Sequence, residues 1–256
     1  MSEAQRRTVN TIRDEAIVLR TYKSGESDRV VVLWTKSHGK LRGIAKGVRK
    51  TTSKLGSGLE VMAHVDILLA ESKGELYQVR QVQHVNRFST VRQDFDRLSA
   101  GLALVEVVDA VPTDNVPDEE IFTMLARALL SLDNEEFAPF LVPSAFFFKM
   151  LALDGSMPQL AECVSCGAGD PLVSFNAEVG GLLCAACRSG RPVSRDAVVL
   201  LRRLLQGDLA GVLREGTTPG TSEVVGLASE AIEQHFGKRL KVARSLNQML
   251  PPEGFQ

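Results

Sequence analysis

Residues 36–54 read KSHGKLRGIAKGVRKTTSK: seven cations (Lys36, Lys40, Arg42, Lys46, Arg49, Lys50 and Lys54), no acidic residue, and glycines at 39, 43 and 47. In an extended chain successive side chains point to opposite faces. From Lys40 onward that alternation puts Lys40, Arg42 and Lys46 on one face and Leu41, Gly43, Ala45 and Gly47 on the other. A strand with one small or apolar face and one cationic face can rest on a core and present charge outward. Cations that meet phosphates release condensed counterions, so such a face suits a polyanion. A solvated edge strand carries the same pattern, and the stretch alone does not separate the two.

The neighbouring text is also β-like. AIVLRTY (16–22) and RVVVLWTK (29–36) precede the basic segment, and VMAHVDILLAES (61–72) and ELYQVRQVQHV (75–85) follow it. KSGESD, SHG and Lys73–Gly74 supply turns between them. Five short strands in about 70 residues, with glycines spaced through the third, predict a small, strongly curved barrel of the OB-fold type, whose face serves as a nucleic-acid surface. The aromatics of this region are Tyr22, Trp34 and Tyr77, and Trp34 lies in an apolar run that suits a core role. Binding here would be led by charge, with little sequence preference.

The formal net charge of −1 over 256 residues hides an asymmetry. Residues 1–85 hold 15 Lys/Arg against 9 Asp/Glu, a balance of +6, whereas residues 86–157 hold 5 against 12, a balance of −7. A basic head on an acidic middle points to an anionic partner for the head. No apolar run approaches the roughly 20 residues needed to span a bilayer. The first 15 residues lack the apolar core of a secretory signal, so a cytoplasmic location and no membrane partner are expected.

After residue 86 the period lengthens. Val91, Phe95, Leu98, Leu102, Val105 and Val108 fall at steps of three and four and predict a helix over 89–110, with Ser89 placed to cap it. PTDNVP (112–117) breaks the pattern. Pro117 then opens a second helix beside Asp118, Glu119 and Glu120, with Ile121, Phe122, Leu125, Leu129 and Leu132 as its buried stripe. A third helix, from about Ser144 to Gly155, is apolar on most sides and is expected at the centre of a bundle. Helices resume over 194–206 and 221–236, and the basic tail GKRLKVARSL (237–246) offers Lys238, Arg239, Lys241 and Arg244 as a candidate second anion site. The expected division is therefore a basic barrel over 1–85, a helical domain over 86–157 and 191–256, and an insertion between its two parts over 158–190.

All four cysteines lie in that insertion. CVSC (163–166) and CAAC (184–187) are separated by 17 residues, a spacing that reads as a zinc site, and PLVSF and GGLLC between them can form the hairpin of a zinc ribbon. Four thiolates close a tetrahedron and leave no position for water, so the metal, one structural zinc ion, holds shape. An iron–sulfur centre would use the same four thiolates. Redox CxxC pairs sit in a thioredoxin-like context that is absent here, and no His-x-Glu accompanies the cysteines as in a zinc deaminase.

No enzyme is read from this chain. The four histidines (His38, His64, His84 and His235) are scattered, Gly56 and Gly58 lack the third glycine of a dinucleotide loop, and residues 43–50 lack the order of a phosphate loop. Three classes are weighed: a nucleic-acid binder, a zinc-ribbon interaction or regulatory module with incidental DNA binding, and a thiol-redox enzyme, which would show facile oxidation and reduction of the CxxC pairs.

The stretch ESDRVVVLWTKSHGKLRGIAKG, with EAIVLRTYK before it, SKLGSGLE after it, the four-cysteine insertion and the late EAIEQHFGKRLKVARSL, resembles the RecO family of recombination mediators over nearly the whole chain. The resemblance implies an N-terminal OB-fold, a C-terminal helical domain, and a zinc-binding element found in many bacterial members. It implies binding of single- and double-stranded DNA and annealing of complementary strands. With RecR, and in some settings RecF, such proteins load RecA onto DNA covered by the single-stranded-DNA-binding protein SSB, whose acidic tail they also grip. Carried over by position, the DNA contacts would be Lys40, Arg42, Lys46, Arg49 and Lys50, with Lys36 and Lys54 on charge, in a nucleoid-associated cytoplasmic protein. Mediation needs no ATP, in keeping with the missing phosphate loop.

Overall fold

The computed structural model describes residues 10–48, 55, 57–72 and 74–250. Five strands, β1 (Thr11–Ser24), β2 (Asp28–Thr35), β3 (Gly39–Ala45), β4 (His64–Ala70) and β5 (Tyr77–Asn86), close into a barrel of order β1-β2-β3-β5-β4, with β1 completing the ring against β4. β3 and β5 pair in parallel and the other neighbours are antiparallel. This is the expected OB-like barrel. Its interior is filled by Ala16, Val18, Val31, Leu33, Leu41, Val65, Ile67, Leu69 and Val79. Gly43 faces the same interior, where an added Cβ would press on the side chains of Val79 and Val31. Burying a Val, Leu or Ile side chain contributes about 1.5–3 kcal/mol, so this set fixes the register that turns the even-numbered residues of β3 outward.

β1 is longer than its apolar run because residues 11–15 pair with β4 although their side chains are mostly polar. A bulge between Val18 and Arg20 reverses which side chains face out, bringing Arg20 and Tyr22 into the outer rows of β2 and β3. Trp34 is fully buried, as its apolar neighbours suggested.

The helical region runs through α1 (Ser89–Gln93), α2 (Phe95–Ala110), α3 (Glu119–Asp133), α4 (Leu141–Leu153), α5 (Arg195–Leu205), α6 (Leu209–Glu215), α7 (Thr221–Phe236) and α8 (Lys241–Met249), with a small sheet between α4 and α5. Among the described residues no helix is long and apolar enough to cross a membrane. α4 is buried on nearly every side, and Phe146, Phe147, Phe148 and Met150 are core. α3 buries the whole stripe read from sequence, and the Asp118 carboxylate accepts from the Ile121 N–H at its start.

The span 89–110 is not one helix. Asp94 adopts an extended conformation and accepts from the Arg97 N–H, ending α1 and capping α2. Ser89 lies inside α1, and Phe88 holds the cap position. Of the stripe read from sequence, Val91, Val105 and Val108 are buried, Leu98 and Leu102 are half-buried, and Phe95 is 69 % exposed; Ala100, Ala103, Leu104 and Val107 complete the buried face. Small residues let neighbours approach that face, and a pattern of large apolar residues does not count them.

The chain divides into two units. One comprises residues up to Arg87 together with Pro112–Ala126, and the other Phe88–Val111 together with residues from Arg127 on. The segment between α2 and α3 thus folds with the barrel, a placement that its sequence, a proline-flanked helix breaker, does not encode locally.

Candidate nucleic-acid face and metal centre

The β2–β3 hairpin sets the basic strand. Thr35 Oγ1 donates to the Gly39 carbonyl at 2.8 Å, and the Asp14 carboxylate, itself buried, accepts from the Ser37 N–H at 2.9 Å and contacts His38 Nδ1 at 2.7 Å. Arg42 pairs with Val32 and, through it, with Arg20 on β1. Ile44 likewise reaches Tyr22 through Val30. Arg20, Tyr22 and Arg42 are exposed and share the barrel's outer face, at about 5 Å per strand step. Arg20 and Tyr22 were not among the residues picked from sequence, because the bulge at Val18/Arg20 that turns them outward has no local signature.

The cations chosen from sequence fall into four groups. Lys46, just beyond β3, and Arg42 on it are exposed. Lys40 is on the outer face but only 6 % exposed, with Nζ 3.9 Å from Asp114 Oδ1. Lys36 is half-buried and pairs with Glu119 at 3.3 Å. Arg49, Lys50 and Lys54 lie outside the described residues. Arg42 Nη2 donates to Asp114 Oδ2 at 3.1 Å, so one carboxylate from the segment before α3 faces two cations of β3.

In the other unit Lys238, Arg239, Lys241 and Arg244 are all exposed near the start of α8. The first N–H groups of that helix are taken: the Glu106 carboxylate accepts from Lys241, Val242 and Ala243 at 2.8, 2.9 and 3.1 Å. Arg244 pairs with Glu233 at 3.4 Å. An anion here would meet side chains only.

The four cysteines converge. β6 (Leu172–Asn176) and β7 (Gly181–Cys184) form the antiparallel hairpin, with β8 (Arg191–Pro192) on the other side of β6. Gly180 takes a left-handed turn, and a Cβ at Gly181 would collide with the Gln159 backbone bridged to it, which accounts for the two glycines before Cys184. The Sγ atoms of Cys163, Cys166, Cys184 and Cys187 all lie within 4.8 Å of one another, and those of Cys166 and Cys184 are 3.7 Å apart. That is far beyond a disulfide bond of about 2.05 Å. It matches the sulfur–sulfur edge of about 3.8 Å of a tetrahedron with metal–sulfur bonds of about 2.3 Å.

The same crowding splits the thiols. Backbone N–H donors, that of Cys184 foremost, bring Cys163 down to about 6. The Ala168 N–H also lowers Cys166, but side-chain hydrogen bonds with Cys163, Cys187 and Cys184 outweigh it and push Cys166 up to about 12. Four thiolates this close repel, and a divalent cation at their centre removes the conflict. Arg202 ties α5 to the ribbon by donating to the Leu160 and Ala161 carbonyls and to Asp170, whose carboxyl it holds below the usual range.

Comparison with known proteins agrees with this architecture. Residues 9–88 match the family model described as Recombination protein O N terminal, and residues 92–244 match Recombination protein O C terminal. The chain is 38 % identical over 237 residues to a DNA repair protein RecO of Nocardioides sp., covering 90 % of this chain and 96 % of that one. It is 33 % identical over 253 residues to the DNA repair protein RecO of Streptomyces griseus, covering 92 % and 98 %. A barrel with a basic outer strand, a helical region and a clustered cysteine quartet thus occur together in a chain that one family matches over most of residues 9–244. The chain belongs to the RecO family of DNA repair proteins.

Proposed function

We propose that this protein is a non-enzymatic recombination mediator that binds single- and double-stranded DNA on the outer face of the barrel and anneals complementary strands. With RecR, and in some settings RecF, it would help load RecA onto SSB-coated single strands. The observation that supports this most is the outer row of β1–β3, where Arg20 and Arg42 flank a buried Val32 and Tyr22 stands one row away. Two DNA strands repel each other, and a surface that neutralises phosphates on both lowers that barrier whatever their sequence. An exposed tyrosine adds a stacking platform that every base can use. In this reading residues 1–85 bind DNA, 86–157 and 191–256 form the helical domain that meets the SSB tail and RecR, and 158–190 form a ribbon shaped by one zinc ion. Arg49, Lys50 and Lys54 extend the basic face, and Lys238, Arg239, Lys241 and Arg244 give a weaker second contact. The setting is the cytoplasm, at the nucleoid.

The test is RecA filament formation on SSB-coated single-stranded DNA, with and without this protein and RecR. Acceleration that needs both proteins supports mediation. No acceleration, with DNA binding intact, would favour a DNA-binding or zinc-ribbon module with another role.

A further inference from the structure

The segment joining α2 to α3 lies along the basic strand at several points. The Asn115 N–H donates to the Lys40 carbonyl at 3.1 Å. The Val116 backbone packs so closely on Gly39, itself left-handed, that a Cβ there would run into the Val116 carbonyl. Asn115 has φ +59°, a conformation Asn tolerates better than most residues, and this turn sits beside the aspartate that meets Lys40 and Arg42. Four residues on, Glu119 takes Lys36. Three of the four described cations of the basic stretch are therefore engaged by two carboxylates from one strap. A cavity of about 580 Å³ opens beside it, lined by Lys40, Arg42, Tyr77 and Asp114 and also by the carboxylates of Glu71 and Glu75, so Arg42, half exposed, can be approached from solvent without moving the barrel.

We propose that residues 114–119 form a built-in phosphate competitor: Asp114, with Glu119 behind it, holds the cations where a DNA phosphate would sit and must be displaced for full DNA engagement. This rests on the reading of the outer face as the DNA surface. An exposed Arg–Asp pair is a weak bond, so the strap lowers affinity without closing the site. It also gives the strand a route off, because the carboxylate can recapture Arg42 as a phosphate leaves. An annealing protein needs such a route, since it must release the duplex it makes.

The experiment is a two-residue cycle on the full chain, reading the affinity of a labelled single-stranded oligonucleotide by fluorescence anisotropy for the wild type, D114N, R42A and D114N/R42A, with E119Q as a second strap variant. Asp114 is 41 % exposed and the change to Asn is isosteric; circular dichroism and thermal unfolding check that each chain is folded. D114N is expected to bind about two- to fivefold tighter with slower dissociation, E119Q to shift the same way by less, and the D114N gain to shrink in the R42A background. Unchanged affinity in D114N, or an equal gain with and without Arg42, would overturn the competitor. Weaker binding in D114N would overturn it too, since Asp114 would then be a positioning residue for Arg42. Wild-type affinity in R42A would instead remove the DNA face on which the proposal stands.

Discussion

The sulfurs of Cys166 and Cys184 face each other at 3.7 Å from opposite knuckles of the ribbon, with no disulfide joining them. We expect one zinc ion per chain by metal analysis, with all four thiols protected from alkylation until a chelator is added. Metal removal, or Cys184→Ser, should release the ribbon to proteolysis, since structural zinc contributes about 10–16 kcal/mol of apparent folding free energy in small peptides. Oligonucleotide affinity should change little, because in the proposed reading the metal would shape the ribbon while the barrel binds DNA. Thiols that cycle between reduced and disulfide forms without metal would contradict this.

His64 gives the barrel a pH dependence. Burial lowers its pKa below the usual 6.5, more than the 2.7 Å hydrogen bond with Glu15 Oε1 raises it. As pH falls through 6.5 the unfolded chain therefore takes up a proton that the folded chain does not, and stability declines until the lower folded pKa is passed. The urea midpoint should fall more for the wild type than for His64→Gln between about pH 7.5 and about pH 5.5, and a parallel fall in both would refute the assignment.

Glu106 caps α8 from 135 residues away, accepting from three successive N–H groups. Glu106→Ala should lower stability by about 1–2 kcal/mol in chemical denaturation, with Glu106→Gln recovering part. It should also bare the helix start beside Lys241, so any anion binding there should rise, which a phosphate titration followed by NMR would detect.

How legible these features were follows from how local their causes are. The five strands announced themselves because short β-branched and apolar runs are bounded by turn signals only a few residues long, and the cysteine cluster because CxxC spacing encodes a knuckle directly. α3 was readable for the same reason, since its stripe recurs every three or four residues. The break at Asp94 was missed because an aspartate reads as helix surface until its own side chain is seen to cap the next turn. The strap was missed because Arg42 and Asp114 are 72 positions apart, and no local period records an ion pair across that distance. Arg20 and Tyr22 escaped because a single bulge decides their face.

The most direct test of the proposed DNA face is the salt dependence of oligonucleotide binding by R42E/K46E beside the wild type. Lys40 is left in place, because a glutamate there would bury a second carboxylate against Asp114. Each phosphate contact contributes about 0.7 to the slope of log affinity against log salt on single strands, so loss of two should flatten it by about 1.4 and cut affinity by more than about tenfold near 0.1 M salt. A folded double variant with the affinity and slope of the wild type would show that DNA binds elsewhere.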